Sequence, residues 1–479
     1  MQIKKSDFSE WYNTITKDAE LCDLRYGIKG FVVFRPWAVM TMNRMYGMYE
    51  QAVESRGHVP ALFPALIPES YFMRESEHVK GFVPEVFWVT EAGGSKLEER
   101  YAMRPTSETA MYSMYSLWIH GTKDLPLKIY QRCQVWRHET KATKPFIRSR
   151  EFYWIEAHDC FATREEAMAQ VREDMEMAEE VIHGQFCVPF MFFKRPQWDK
   201  FAGAEDTFAA DTLMPDGRAL QLPSTHMLGQ HFSKAFDIKF TDDTGKEQYV
   251  WQTCYGPAIS RIYAAVISTH GDDKGLVLPV RLAPMQVVIV PIIKEETKAK
   301  VMERCKEVAK MISCCFFTKI DDSDRTPGFK YNEWEMKGVP IRIEIGMRDI
   351  EADIVVVVRR DTGEKIKVKT SEIDAKLDEF AQAIDKNLRE RADLFFKGKI
   401  SHAESMAELG KKLDSDPGFI RVPFCTDDLG GEKCADSVKE NHSGNIRGSL
   451  FGSVEKPDGK ACVACGKPAT IYLYAARQY

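Results

Sequence analysis

The sequence has no uninterrupted apolar run near the roughly 18 residues that cross a bilayer, which excludes a membrane-spanning helix as an organising element. The opening residues Met1-Gln2-Ile3-Lys4-Lys5-Ser6 lack the apolar core of a secretory signal, so the chain is expected to be cytoplasmic, with no membrane partner. Positive charge is not in excess: 66 Lys and Arg stand against 71 Asp and Glu, for a net charge of −5. A global basic field for nucleic acid is therefore absent, and any such contact must come from local patches. Internal repeats and low-complexity tracts are also lacking. Cysteine, by contrast, is not scarce. Twelve cysteines in an intracellular chain of this size are expected to be thiols or metal ligands rather than disulfides.

What is present is a soluble globular composition, 44% apolar and 29% charged. A length of 479 residues suggests two to four domains. An amphipathic helix is expected over 6–24, capped by Ser6 or Asp7, then a strand over Gly30–Phe34. Pro36 opens a long helix from Trp37 to about Arg56, ended by Gly57. The stretch Val59–Pro68 has too many prolines for a central strand and suits an edge or an interface. Strands through Phe87–Val89, Tyr101–Met103, Lys128–Val135 and Phe152–His158 predict a largely antiparallel sheet, and a charged helix covers about 164–186. From 285 the pattern becomes strand–helix alternation, which predicts a separate α/β domain. Its strands fall at Val287–Ile293, 316–320, 339–346 and 353–360, and its helices at 295–313 and 371–397. A linker rich in Ser, Gly and Lys is expected over 398–418. The expected domains are 1–284, 285–400 and 401–479.

Two segments carry chemistry. One is Arg104-Pro105-Thr106-Ser107-Glu108; the other runs from Arg132 to Phe152 and contains Trp136-Arg137-His138-Glu139 and Arg148-Ser149-Arg150-Glu151-Phe152. An Arg and a Glu two residues apart on a strand share one face. On a solvated face they would be a plain salt pair. Here they precede a basic turn and an aromatic strand, Phe152-Tyr153-Trp154-Ile155. A guanidinium clamps phosphate or carboxylate, a carboxylate accepts from an exocyclic amine, and a ring stacks on a base. Those are parts of an ATP site without a glycine-rich cradle.

Further segments complete an ordered set: Lys200-Phe201-Ala202-Gly203-Ala204, Leu220-Gln221 to His226 and Gln230, Cys254-Tyr255-Gly256 to Arg261, and His270 to Pro279. In this order and spacing the chain resembles the class II aminoacyl-tRNA synthetases, and most closely the prolyl-tRNA synthetases of the archaeal and eukaryotic type. The resemblance covers nearly the whole chain. It implies an α+β catalytic domain built on an antiparallel sheet, an α/β anticodon-binding domain and a small α/β zinc-binding C-terminal domain, in a homodimer joined through the long helix and the proline-rich strand. The implied reaction is adenylation of L-proline by ATP with Mg²⁺, then acyl transfer to tRNA(Pro). Arg137 and Arg261 are the implied catalytic cations, with Glu139 reading adenine, Phe152 stacking beneath it, and Arg148, Ser149, Gln221 and Ser224 near the phosphates and ribose. The proline pocket is expected from Thr106, Glu108, Arg137, Trp154, Glu156, His158 and His226, with Cys254 at its border. His158 reads equally well as a satisfied core histidine.

In the middle domain Glu335, Arg342, Arg348 and Asp349 are the implied anticodon readers, because a carboxylate accepts from guanine N–H groups and an Arg donates to O6 and N7. At the C-terminus, Cys425-x₈-Cys434-x₂₇-Cys462-x₂-Cys465 suggests a structural zinc site of four thiolates. The terminal Tyr479 is expected to fold back toward the catalytic domain, as in the family, or to fray. Two positions depart from the family: Pro257, which lacks an N–H in the third motif, and Met347, commonly proline in relatives. A class II synthetase for threonine, serine or glycine, or a non-catalytic tRNA-binding paralogue, are the alternatives; retention of Arg137, Glu139 and Arg261 argues against the last. Only about a hundred residues separate Phe152 from Gly256, which leaves no room for a hydrolytic insertion. Since one methylene is worth roughly 1–3 kcal/mol of discrimination, the chain is expected to form some alanyl- or cysteinyl-adenylate and to leave mischarged tRNA intact. Incubation with Ala-tRNA tests this; efficient deacylation by the purified chain would contradict it.

Overall fold

The computed structural model describes residues 3–74 and 85–479. An eleven-stranded sheet dominates it. In spatial order its strands are Ile400–His402, Phe419–Phe424, Ile471–Ala476, Asn445–Leu450, Met191–Lys194, Asp206–Leu213, Ala219–Gly229, Trp251–Gly256, Glu151–Phe161, Leu127–Trp136 and Val59–Pro60. The pairing is antiparallel except at the two ends, where Val59–Pro60 and Ile400–His402 pair in parallel. The proline-rich segment is thus an edge strand, where a missing N–H costs the ladder nothing. The helix Ile259–His270 lies almost wholly buried against this sheet, beneath the long helix Pro36–Glu54, with Trp11, Tyr12, Tyr49, Tyr255 and Tyr263 filling the space between.

A second sheet has the order Thr318–Ile320, Val287–Pro291, Ile341–Ile345, Ile354–Arg359, Lys365–Lys369, with the first three strands parallel and the rest antiparallel. The strand Lys365–Lys369 has alternating lysines and was not expected from the apolar pattern. Arg360 grips Asp272 with two hydrogen bonds of 2.7 and 2.6 Å, and Asp385 accepts from the Val280 N–H at 2.8 Å. These contacts tie the second sheet to the end of the catalytic core.

Several expected elements are corrected. The first helix spans only Phe8–Asp18, because Glu20 adopts a left-handed conformation (φ 57°) that turns the chain into the strand Cys22–Asp23. Asp7 begins this helix through its carbonyl, and neither its side chain nor that of Ser6 caps it. The strand expected at Gly30–Phe34 contracts to Val33–Phe34. Gly30, at φ +83°, lies against Arg150, whose Cγ would sit 2.7 Å from any added Cβ. The charged helix is α-helical over Arg164–Ala178 and then widens into a π-helical turn to Gln185. The segment expected as a linker holds the strand Ile400–His402 and the helix Met406–Ser415. The Ser405 hydroxyl caps that helix by accepting from the Glu408 N–H at 3.2 Å, and Leu409 and Leu413 bury its apolar face. Likewise Thr326 caps an unanticipated helix, Pro327–Met336, with Pro327 in its first turn.

Candidate active site

Strand register assembles the site. Thr207 is paired with His226, His226 with Cys254, and Cys254 with His158, so one row crosses four adjacent strands. Along Glu151–Phe161 the period of two puts Phe152, Trp154, Glu156 and His158 on the same face. A cavity of about 230 Å³ opens on this face. It adjoins a second cavity, of about 120 Å³, through shared walls at Arg137, Phe152, Ala258 and Arg261. Every residue expected at the amino-acid and nucleotide sites lines one or both. Thr106, Glu108, Trp154, Glu156, His158, Gln221, Ser224 and His226 belong to the first, and Glu139, Arg148 and Ser149 to the second.

Guanidiniums converge at the shared wall. Arg137 anchors its Nε on the Pro105 carbonyl at 3.0 Å and lies 5.2 Å from the Phe152 ring centre and 5.8 Å from that of Trp154. Arg261 sits in the first turn of the buried helix and donates to the carbonyls of Ile147 (3.2 Å) and Gln221 (3.5 Å). Burial, with Arg137 and Arg148 nearby, pulls its guanidinium down to about 10. A half-buried cation whose hydrogen bonds go to backbone carbonyls is costly unless an anion joins it.

The premise that Arg137 and Glu139 alternate on a strand is corrected. The strand ends at Trp136, and the Glu139 N–H donates to the Arg137 carbonyl at 2.7 Å, a three-residue turn. The carboxylate of Glu139 accepts from Arg148 at 3.2 Å and from the Lys141 N–H at 2.9 Å. The Pro257 carbonyl accepts from the Ile155 N–H at 3.1 Å while the chain passes into the helix at Ile259.

The polar floor is largely self-satisfied. Glu156 accepts from Ser107, from Gln131 Nε2 at 2.8 Å and from the Cys133 thiol at 3.2 Å, and pairs with His158 Nε2 at 3.2 Å. Burial alone would raise this carboxyl, but the His158 ring, Ser107 and Cys133 hold it down to about 2. The other His158 nitrogen meets the Tyr112 hydroxyl at 3.1 Å. Glu156 and His158 are therefore engaged by their neighbours, and in the same cavity the Thr106 hydroxyl donates to the Glu108 carboxylate at 2.5 Å. His226 is bonded by the hydroxyls of Thr207 (2.9 Å) and Ser224 (3.0 Å). Burial, then the charges of His158, Arg195 and Arg137, push it down to about 3, so it is neutral at physiological pH. Ser224, expected near ribose and phosphates, spends its hydroxyl on His226. Arg195, Phe201 and Thr207 also line the first cavity, and Glu85 the second. Phe201 lies in a segment already singled out. Arg195 gave no sequence signal, since its carboxylate partner Asp211 lies in another strand.

At the other end of the chain, Cys425, Cys434, Cys462 and Cys465 bring their sulfurs within 4.8 Å of one another. Cys425 and Cys434 are 3.7 Å apart. A tetrahedron of sulfurs about 2.3 Å from a central zinc has an edge of about 3.8 Å. The Cys462–Cys465 turn closes through the Gly466 N–H to the Cys462 carbonyl (3.0 Å), with Gly466 at φ 70°.

The model of the tRNA synthetase class II core domain (G, H, P, S and T) matches residues 87–270, that of the anticodon binding domain residues 286–386, and that of the prolyl-tRNA synthetase C-terminal domain residues 406–479. A proline–tRNA ligase of Thermofilum pendens is 51% identical over 99% of this chain and 98% of its own length. The chain belongs to the proline–tRNA ligase family. A Thermococcus kodakarensis member is 42% identical over 99% of this chain and 98% of its own. The solved structure of Giardia lamblia prolyl-tRNA synthetase in complex with prolyl-adenylate has a TM-score of 0.95 at 38% identity, covering 99% of both chains.

Within the segment matching the synthetase anticodon-binding model, Glu335 and Arg342 are 3.3 Å apart beside Arg359 and Arg360. Arg342 also bonds Glu344 at 3.1 Å. Asp349 turns its carboxylate back onto the Gly346 N–H at 2.9 Å, while Arg348 on the same short helix is exposed. The four expected readers thus divide into a packed pair and two residues on the turn beyond it.

The Glu156 network has a pH signature. Its folded value lies below the ordinary 4.5, so its stabilisation is complete above pH 4.5 and is lost as pH falls toward 2. Melting temperature measured across that window should fall less steeply for Glu156→Gln than for the parent; parallel curves would contradict the assignment.

Proposed function

We propose that this chain activates L-proline with ATP and transfers it to tRNA(Pro), working as a homodimer with a structural zinc in its C-terminal unit. The observation that carries this reading is a pair of adjoining cavities, with the Glu108–Thr106 pair in the first and converging guanidiniums at their shared wall. A secondary ammonium presents two N–H donors, which the Glu108 carboxylate and the Thr106 hydroxyl accept. Trp154, His158 and Phe201 wall the apolar ring, and neutral His226 adds no charge to repel the ammonium. Arg137 bridges the substrate carboxylate and the α-phosphate.

A carboxylate oxygen of proline then attacks the α-phosphorus, and pyrophosphate leaves with its Mg²⁺. A ribose hydroxyl of tRNA next attacks the acyl carbon, and AMP leaves. Negative charge gathers in the first transition state, so positioned cations contribute more than a general base. Arg261 holds the distal phosphates. Arg148 exchanges Glu139 for the triphosphate, which frees Glu139 for the adenine amino group above Phe152. Gln221 and Ser149 sit at the ribose and phosphate edge.

For tRNA, Glu335 and Arg342 meet the guanines of the anticodon, with Arg348 and Asp349 alongside. Exposed Val39, Met40, Val59, Leu62 and Leu66 on the long helix and the proline-rich segment supply an apolar dimer face. Four soft thiols at tetrahedral spacing suit Zn²⁺, which would clamp a unit with a small core of its own. Among the described residues, no helix is long and apolar enough to cross a membrane.

ATP–pyrophosphate exchange with each amino acid in turn tests the reading, with zinc measured on the same sample. Proline should drive exchange far above threonine, serine and glycine. Arg137→Ala should lower exchange by at least about 10²-fold while tRNA binding persists. Absence of stimulation by proline would overturn the substrate, and undiminished exchange in Arg137→Ala would overturn the role of that residue.

A further inference from the structure

Behind the cavity wall lies a buried cluster that draws on two distant parts of the chain. Asp211, fully buried, accepts from Arg195 at 2.8 and 2.9 Å and from Arg447 at 2.8 and 3.0 Å. Both guanidiniums are almost completely buried, at 3% and 4% exposure. Arg447 belongs to the C-terminal unit, 236 residues beyond Asp211. The Arg447 carbonyl accepts from Arg195 in return, and its side chain also bonds Gln478. This junction is built closely. The strand Asn445–Leu450 pairs with Met191–Lys194, and at Gly448 an added Cβ would lie 2.1 Å from the Lys194 carbonyl.

The cluster reaches the cavity at one point. Arg195 lines it and donates through Nη2 to Gln221 Oε1 at 3.2 Å. That bond decides which way the Gln221 amide faces. With Oε1 held by a cation, the Nε2 end is the free one, and it offers donors and no acceptor. Bonds from a charged donor are the stronger kind and resist an amide flip. Arg195 Nη2 carries two hydrogens, so it donates to Asp211 and to Gln221 at once, while the more exposed Asp199 lies 4.0 Å from its Nε.

We infer that Arg195, braced by Asp211 and by Arg447 of the C-terminal unit, is a positioning residue that fixes Gln221 as a hydrogen-bond donor to an acceptor oxygen of the bound nucleotide. The C-terminal unit thereby completes the nucleotide site without touching the substrate. This inference rests on the proposed function of the same cavity.

A double-mutant cycle on exchange kinetics tests it, using full-length Gln221→Ala, Arg447→Met and the double variant. Each single change should raise the KM for ATP on the order of tenfold, with a smaller effect on kcat. In the Gln221→Ala background, Arg447→Met should add no further loss, because its effect passes through Gln221. Additive losses, or an Arg447→Met variant with the parent's KM, would overturn the inference. Should Arg447→Met fail to fold, Gln221→Glu decides the matter alone. It keeps the bond to Arg195 but presents no donor, so it should lose as much as Gln221→Ala; a parental KM for ATP would refute the donor role. Failure of the parent chain to exchange with proline would instead strike the proposed function, which separates the two outcomes.

Discussion

Arg137 and Arg261 at the wall between two adjoining cavities, with Arg148 in the second, gather three positive charges, and their mutual repulsion and partial loss of water work against the folded state. Each desolvated ion costs several kcal/mol unless it is compensated. The depressed value of Arg261, about 10, expresses that cost. Compensation is partial and is drawn from the surrounding framework. Backbone carbonyls of Pro105, Ile147 and Gln221 accept from Arg137 and Arg261, and Glu139 neutralises Arg148. The wide sheet, the buried helix beneath it and the short turn after Trp136 all serve to hold these half-buried groups in place. A polyanionic substrate supplies what is missing. Cations fixed before the substrate arrives need no rearrangement as charge develops, which is how such a site lowers a barrier.

The amino-acid end follows a different economy of charge. Glu156, His158, Tyr112, Ser107 and Gln131 satisfy one another, as do His226, Thr207 and Ser224. With His226 neutral and the Glu156–His158 pair closed, the proposed ammonium contact falls to Glu108 and Thr106. Rigidity of this kind suits a pocket that must place a small ring without help from a long side chain.

An antiparallel sheet was legible in the sequence through period-two alternation, and the residues lining the two cavities through motif order and the family resemblance it carries. Phe152, Trp154, Glu156 and His158 illustrate this: their spacing alone sets their common face. Two kinds of feature were not legible. Short-range geometry misled at Arg137–Glu139, where alternation implied a strand but the chain turns at once. It also misled at 398–418, where composition implied a linker but a Ser405 cap and two leucines make a helix. Long-range partnership was the other. Nothing near Arg195 signals that Asp211 pairs with it, that Arg447 shares that carboxylate, or that the strand Asn445–Leu450 would extend the catalytic sheet. The hydrogen-bond partners of Ser224, Glu156 and Asp349 likewise depend on neighbours that sequence spacing does not reveal.

If the converging guanidiniums are held at a cost that substrate offsets, relieving that cost should stabilise the empty protein while weakening its response to nucleotide. Arg261→Met keeps much of the side-chain volume and removes the charge. Thermal unfolding of parent and variant, each with and without saturating ATP and proline, measures both halves at once. The account predicts that the unliganded variant melts at or above the parent's temperature and loses most of the parent's upward shift on adding substrates. A variant that melts well below the parent when unliganded, yet keeps the full substrate-induced shift, would contradict it.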